Sequence, residues 1–380
     1  MRNYKISLFH VKINLSYLSL KGDFDMKFLK IFISTIIGLL MIIGVVLVYF
    51  TVREYRPQDE ETMTVRNNSD LEVVLNEEIS ILTFNIGYAG LGINEDFVMD
   101  GGKKGRPDNK EVVRGYLDGI KDILTTVDAD IFLLQEVDKH SRRSYYINQV
   151  DELSELFSNY DEVFSYNYLA DFVPFPFSFT DYIGKVASGI QTLSKYKISE
   201  SIRYQTPGGF SWPVRTVNLK RAIQVNYLPI KDSDKELVII NLHLSAYDDG
   251  EMKKAETKFL AEEILKREIE KGNYVIAGGD FNQTHPDVID NYPVPTENNL
   301  WKPSIFDIDV LPDGFQFIYS ETATCRSLDK PLENPENHYY YIIDGFIISN
   351  NIEKTSFENL NKGFFYSDHE PLLLNIKLIP

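Results

Sequence analysis

The sequence predicts an α/β domain in which β-sheets pack face to face with helices outside, preceded by one transmembrane helix. Three observations predict this. After residue 77 many short apolar runs outnumber a few scattered helical stretches, which fits packed sheets better than a strictly alternating parallel sheet. Residues 31–52 carry no charged side chain. Finally, 43% of the residues are hydrophobic and 13% aromatic, enough for a sizeable core and too much for wholesale disorder.

The uncharged stretch, IFISTIIGLLMIIGVVLVYFTV, would rise about 33 Å as a helix, the thickness of a bilayer core. A cleaved signal peptide is the rival reading. Its apolar core would be shorter and would end in small residues, whereas this run ends in Val48, Tyr49 and Phe50. Six basic and two acidic residues lie in positions 1–52, a net +4. After the span, Arg53 and Arg56 are mixed with acidic residues. The positive-inside rule then puts the N-terminus in the cytoplasm and the body outside, as a single-pass plasma-membrane protein. Met26 opens a second candidate start, MKFLKIFIST. The organisation expected is a cytoplasmic stretch (1–27), an anchor (28–52), a polar tether (53–77) and one domain (78–380).

Elements of the body follow in order. Residues 79–85 read as a strand. Asp108 and Glu111 have capping-box spacing before a helix at 112–126. Residues 130–134 are nearly all apolar, as in a strand buried on both faces. Residues 150–157 read as a helix, and 188–193 and 222–228 as strands. The apolar run 237–242 is a further strand. The helix after it, 250–271, carries Met252, Ala255 and Phe259 on one face and stops at Gly272. Strands at 274–277, 340–348 and 372–378 complete the set.

The polar residues that end these strands carry the chemistry. The runs stop at Phe84-Asn85, Gln135-Glu136, Asn241-Leu242-His243 and Gly279-Asp280-Phe281-Asn282, followed by Asp344 and by Ser367-Asp368-His369. Each alone has an ordinary explanation: a solvated strand end, a turn, a core histidine. Together they place hard oxygen ligands and histidines on rigid frames that face an open edge.

The motifs TFNIG, QEVD, NLHL, GDFN, IDGF and SDHEP, spread over residues 83–371, resemble those of the endonuclease/exonuclease/phosphatase superfamily with the deoxyribonuclease I-like fold. The resemblance implies a four-layer sandwich of two mixed β-sheets flanked by helices, and hydrolysis of phosphoesters with Mg²⁺, Mn²⁺ being the alternative ion. It implies Glu136 as main metal ligand, Asn85 as a contact to that metal or to a phosphate oxygen, and Asp368 as a second metal ligand or a group supporting the ligands. Asp280 would orient or deprotonate water, and Asn282 would hydrogen-bond phosphate. Asp344 would pair with His369, which contacts phosphate or moves a proton; His243 would be a phosphate contact or general acid. One or two metals, and the identity of the base, stay open.

The substrate is bounded less tightly. Removing the +4 N-terminal part leaves the body at −21, so broad charge-driven binding of nucleic acid is not expected. The single cysteine, Cys325, excludes a disulfide framework. Arg142 and Arg143, just after the metal ligand, and Arg221 are candidate substrate contacts, or else parts of solvated loops. Residues 171–180, DFVPFPFSFT, are either a rigid loop buried on the sheet or an apolar rim that touches lipid or stacks on a base. The leading expectation is a monomeric membrane-anchored phosphodiesterase or phosphatase acting on a lipid head group or small phosphoester. An extracytoplasmic nuclease and a non-catalytic surface module are the alternatives.

Overall fold

The structure is a computed structural model that describes residues 15–247, 250–297 and 300–380, with side chains from residue 26 onward. Two compact units divide the chain between Arg53 and Glu54. The first holds helix α1, Leu15–Arg53. Its stretch Met26–Arg53 is long and apolar enough to cross a membrane, an 18-residue window within it having a mean hydropathy of 3.0. Residues 1–14 of the expected cytoplasmic stretch lie outside the described residues.

In the second unit the strands are β1 (Glu60–Thr62), β2 (Glu78–Asn85), β3 (Ile131–Asp138), β4 (Asp161–Val173), β5 (Gly184–Ser194), β6 (Glu200–Gln205) and β7 (Ala222–Pro229). They continue with β8 (Glu236–His243), β9 (Tyr274–Asp280), β10 (Phe315–Tyr319), β11 (Asp344–Ser349), β12 (Ile352–Asn359) and β13 (Leu372–Leu378). One sheet has the order β1-β6-β7-β8-β9-β11-β10 and the other β12-β13-β2-β3-β5-β4. Helices α2 (Lys110–Val127) and α3 (Gln149–Leu156) sit among the loops after β2 and β3. Helix α4 (Glu251–Phe259) follows β8 and runs through a π-turn at Leu260–Leu265 into Lys266–Glu270.

Three apolar layers hold these four layers together. Ile79, Ile81, Ile131 and Leu133 of one sheet meet Leu237, Ile239, Ile276 and Phe346 of the other. The opposite faces of β2 and β3 receive Val113, Leu117, Ile120 and Leu124 of α2. The outer face of the second sheet receives Leu260, Ile264 and Leu265. Strands covered on both faces must be apolar throughout, which is why β3 and β8 read as unbroken hydrophobic runs.

Four sequence expectations shift. The cap of α2 is Asn109, whose side chain accepts from the Val112 N–H at 3.0 Å, while Asp108 pairs with Lys104 instead. Helix α4 buries Lys253, Glu256 and Thr257, and the turn after it buries Leu260, Ala261, Ile264 and Leu265, with Met252, Ala255 and Phe259 only half-buried. Strands β4, β6, β10 and β12 were not legible: their polar and aromatic residues lack the clean alternation of a half-buried strand.

The fourth concerns residues 53–77, which are not a free tether. β1 pairs with β6 in antiparallel register, and Arg66 bridges to Glu162. Asp161, buried at the start of β4, accepts from the backbone N–H groups of Asn68 at 2.7 Å and Ser69 at 2.8 Å, from Ile198 N–H at 2.7 Å and from the Asn67 amide at 2.9 Å. One carboxylate thereby fixes three neighbouring residues to the sheet edge. Asp161→Ala is expected to cost about 2–3 kcal/mol, because it leaves several donors without their acceptor. Urea unfolding measures that loss, and faster tryptic cleavage at half-exposed Arg66 should accompany it.

Candidate active site

Strand register builds the floor of the site. His243 is the register partner of Asp280 across the parallel pair β8/β9. Asp344 is the partner of Asp280 across the antiparallel pair β9/β11. Three ionisable side chains thus stand in a row at one edge of one sheet. The other sheet supplies Asn85 at the end of β2 and His369 just before β13.

Hydrogen bonds join the two halves. The Asn85 amide donates to Asp280 Oδ2 at 3.0 Å. His369 Nδ1 lies 2.8 Å from Asp344 Oδ2, and His369 Nε2 lies 3.7 Å from Asp280 Oδ2. His243 Nε2 is 3.2 Å from the same Asp280 oxygen. Asp280 Oδ1 accepts from the Asn282 N–H at 2.8 Å, and the Asn282 amide donates to the Leu244 carbonyl at 3.0 Å. Asn282 holds φ at 52°, the tight turn that GDFN chemistry suggests.

Burial sets the charges. It opposes an imidazolium at His369, but Asp344, Cys325, Asp280 and Asp368 outweigh it and raise the pKa well above the usual histidine value. His243 goes the other way. Burial, then the cationic Arg221 and His369, hold it well below that value, so its ring is neutral. The Asp280 carboxyl is pushed up to about 7, chiefly by burial, with His369 opposing. Two histidines within reach of one carboxylate therefore carry different charges.

Glu136 stands on a β-bulge. The register between β3 and β5 slips between Leu134 and Val137, and Glu136 takes φ of 54°. A left-handed non-glycine residue at a bulge re-aims its side chain, and here the carboxylate lines the cleft with 25% of the side chain exposed. Asp368 lines the same cleft. Its carboxyl is pushed up to about 6 by burial, with the charge of Glu136 adding to the rise despite nearby His369. Glu136, Asp368 and Asn85 line one cleft and offer hard oxygens of the kind that suit Mg²⁺ or Mn²⁺. Two groups bring ligand atoms within 4.8 Å of one another, Cys325 with Asp368 and His369, and Asp280 with Asp344 and His369, but His369 Nδ1 is already committed to Asp344.

The three arginines divide. Arg221 lines the cleft and is buried, and its guanidinium has no hydrogen bond or ion pair among the described residues. A buried guanidinium whose donors make no hydrogen bond suits an anion. Arg143 also lines the cleft, but its guanidinium donates to Asp138 at 3.0 Å and Ser188 at 3.1 Å and covers the Tyr88 ring. Arg142 does not face the cleft. It stacks on Tyr182 and donates to the carbonyls of Thr180 and Tyr182, so its expected contact with substrate is corrected to support of the 174–183 loop.

Other cleft residues carry no sequence signal of their own. Tyr247 donates to Asp100 at 2.6 Å. The Tyr88 hydroxyl is buried and has no hydrogen-bond partner among the described residues. Trp301 and Tyr341 close one side. Only Tyr88, one residue beyond TFNIG, lay close enough to a motif to be found. The cleft encloses about 440 Å³.

The model of the Endonuclease/Exonuclease/phosphatase family matches residues 82–356. No curated protein matches the sequence. Among solved structures, the endonuclease/exonuclease/phosphatase from Beutenbergia cavernae is 14% identical with a TM-score of 0.54, over 80% of this chain and 72% of that one. The human Nocturnin catalytic domain with a bound sulfate anion is 16% identical with a TM-score of 0.51, over 83% and 97%. At these identities both are likenesses of fold.

If Glu136 anchors the cation, Glu136→Gln should weaken Mn²⁺ binding at least about tenfold by calorimetry. Undiminished affinity would move the metal to the Asp280, Asp344 and His369 grouping.

Proposed function

Because this chain belongs to the endonuclease/exonuclease/phosphatase family, we propose that it is a Mg²⁺-dependent phosphoester hydrolase, anchored by α1 with its second unit outside the cytoplasm. The observation that carries the reading is the convergence on one cleft of two carboxylates, a raised Asp280, a charged and a neutral histidine and an Arg221 guanidinium whose donors make no hydrogen bond.

Glu136, Asp368 and Asn85 would hold the ion, which supplies Lewis-acid stabilisation of negative charge on the phosphoryl group. Arg221 draws the anionic phosphate into the cleft. His369 donates from Nε2 to a phosphoryl oxygen and stays charged because Asp344 holds its other nitrogen. Asp280, with a pKa near the working range, accepts a proton from the attacking water. The water oxygen forms the new bond to phosphorus, and the ester P–O bond on the far side breaks. The leaving oxygen takes a proton from a second water, and the hydroxide so formed recovers the proton from Asp280. Neutral His243 and the Asn85 amide hold Asp280 Oδ2 in place throughout.

The assay is metal-dependent turnover of bis-p-nitrophenyl phosphate, DNA, sphingomyelin and phosphoinositides by the detergent-solubilised full chain. EDTA should abolish it. Asp280→Asn should lower kcat by about a hundredfold or more with unchanged circular dichroism. A folded chain without turnover on any of these would support the binding module instead. For topology, protease added to intact cells with a permeable wall should release the second unit; complete protection would contradict an outward-facing domain.

A further inference from the structure

The cleft is chemically two-sided. Its polar end is the site described above. The rest is walled by Phe97, Val173, Phe175, Val217, Leu219 and Trp301. The wall continues outward to Phe177 and Val214, which line the mouth with 92% and 52% of their surface exposed. Phe179 and Trp212, two residues away on the same two segments, are 102% and 52% exposed. Aromatic side chains this open on a loop beside a cleft are not core packing. The charged lining also speaks to the occupant. Arg143 is committed to Asp138 and Arg326 to the carbonyls of Leu91, Gly92, Glu95 and Ser327. One guanidinium, Arg221, remains for phosphate, whereas a nucleic-acid strand needs cations along its track.

The path of the chain points the same way. Glu54 directly follows the apolar helix α1. Its buried carboxylate is 3.1 Å from Lys220 Nζ and 3.4 Å from Arg215 Nε. Arg215 belongs to the turn Val214–Val217, which carries Val214 of the mouth. The residue that follows the apolar helix is therefore fixed to the segment that forms one lip of the cleft.

We propose that the substrate is a phosphoester lipid taken from the bilayer that holds α1. Its phosphate lies at Arg221 and the carboxylate end, its apolar chains lie along the aromatic wall, and Phe177, Phe179, Trp212 and Val214 enter the bilayer surface. The substrate class rests on the hydrolase reading; the bilayer contact does not.

Two measurements test it on the full chain in nanodiscs. The sequence has two tryptophans, so a Trp301→Phe variant reports on Trp212 alone. Brominated acyl chains should quench its emission at least about twofold, as expected of an amphipathic ring at the lipid boundary; unquenched emission overturns the bilayer contact. The second measurement compares phosphatidylcholine, phosphatidylglycerol and sphingomyelin with their chain-free head-group esters. A kcat/KM higher by about a hundredfold for one long-chain lipid supports the apolar subsite, and equal values overturn it in favour of a free phosphoester. Phe177→Ser/Phe179→Ser should lower the ratio of lipid to head-group turnover at least about tenfold, and an unchanged ratio removes the rim from the proposal. Absence of turnover on every ester would overturn the hydrolase reading and the lipid substrate with it, while Trp212 quenching still decides the bilayer contact.

Discussion

Everything at the cleft depends on how the two sheets are held together at one end. Asn85 reaches across to Asp280, and His369 reaches across to Asp344. Just beneath them, the Gln135 amide donates to Asn241 Oδ1 at 2.9 Å, and the Asn241 amide donates to the Gln191 carbonyl at 3.1 Å. These bonds are buried, and a buried polar group left unpaired is costly. The sheets are therefore free to slide on their shared aliphatic layer only at the expense of the whole polar row. Glu136 and His243 each lie within two residues of that row, so its register sets the position of Glu136 relative to Asp280.

The same burial that fixes the row sets its charges. Asp280 and Asp368 are pushed upward by desolvation, while His369 is kept charged by the carboxylates around it. Charge in the site is distributed by proximity rather than by residue type, since His243 and His369 share Asp280 and differ in protonation. Arg221 completes the balance from the other side. Glu136, Glu256 and Asp280 act on it electrostatically, and among the described residues its guanidinium bonds to none of them.

Outside the site, the polar stretch after α1 proved to be part of the domain. Its composition resembles a linker, but Asp161, β6 and Glu162 supply partners for its backbone and side chains. The second unit is fixed from its first residue, Glu54, which lies against Lys220 and Arg215. The 171–180 segment behaves in the opposite sense. Its composition suits a buried loop, yet β4 ends at Val173 and the phenylalanines beyond it turn outward or into the cleft mouth.

What the sequence determined by itself were the features written in local pattern. The apolar helix, the buried strands β2, β3, β8 and β9, and the polar residues at their ends all depend on neighbouring residues, and so does the match of the motifs to one family. The tertiary structure decided what depends on distant pairing. Register alone set His243, Asp280 and Asp344 side by side, because nothing local links residues 37 or 64 positions apart. A slip between β3 and β5 turned Glu136 into the cleft. Packing separated two adjacent arginines, sending Arg143 to Asp138 and Arg142 to the carbonyls of a loop. Chain neighbours point to different places whenever the backbone turns between them, and only the fold says where it turns.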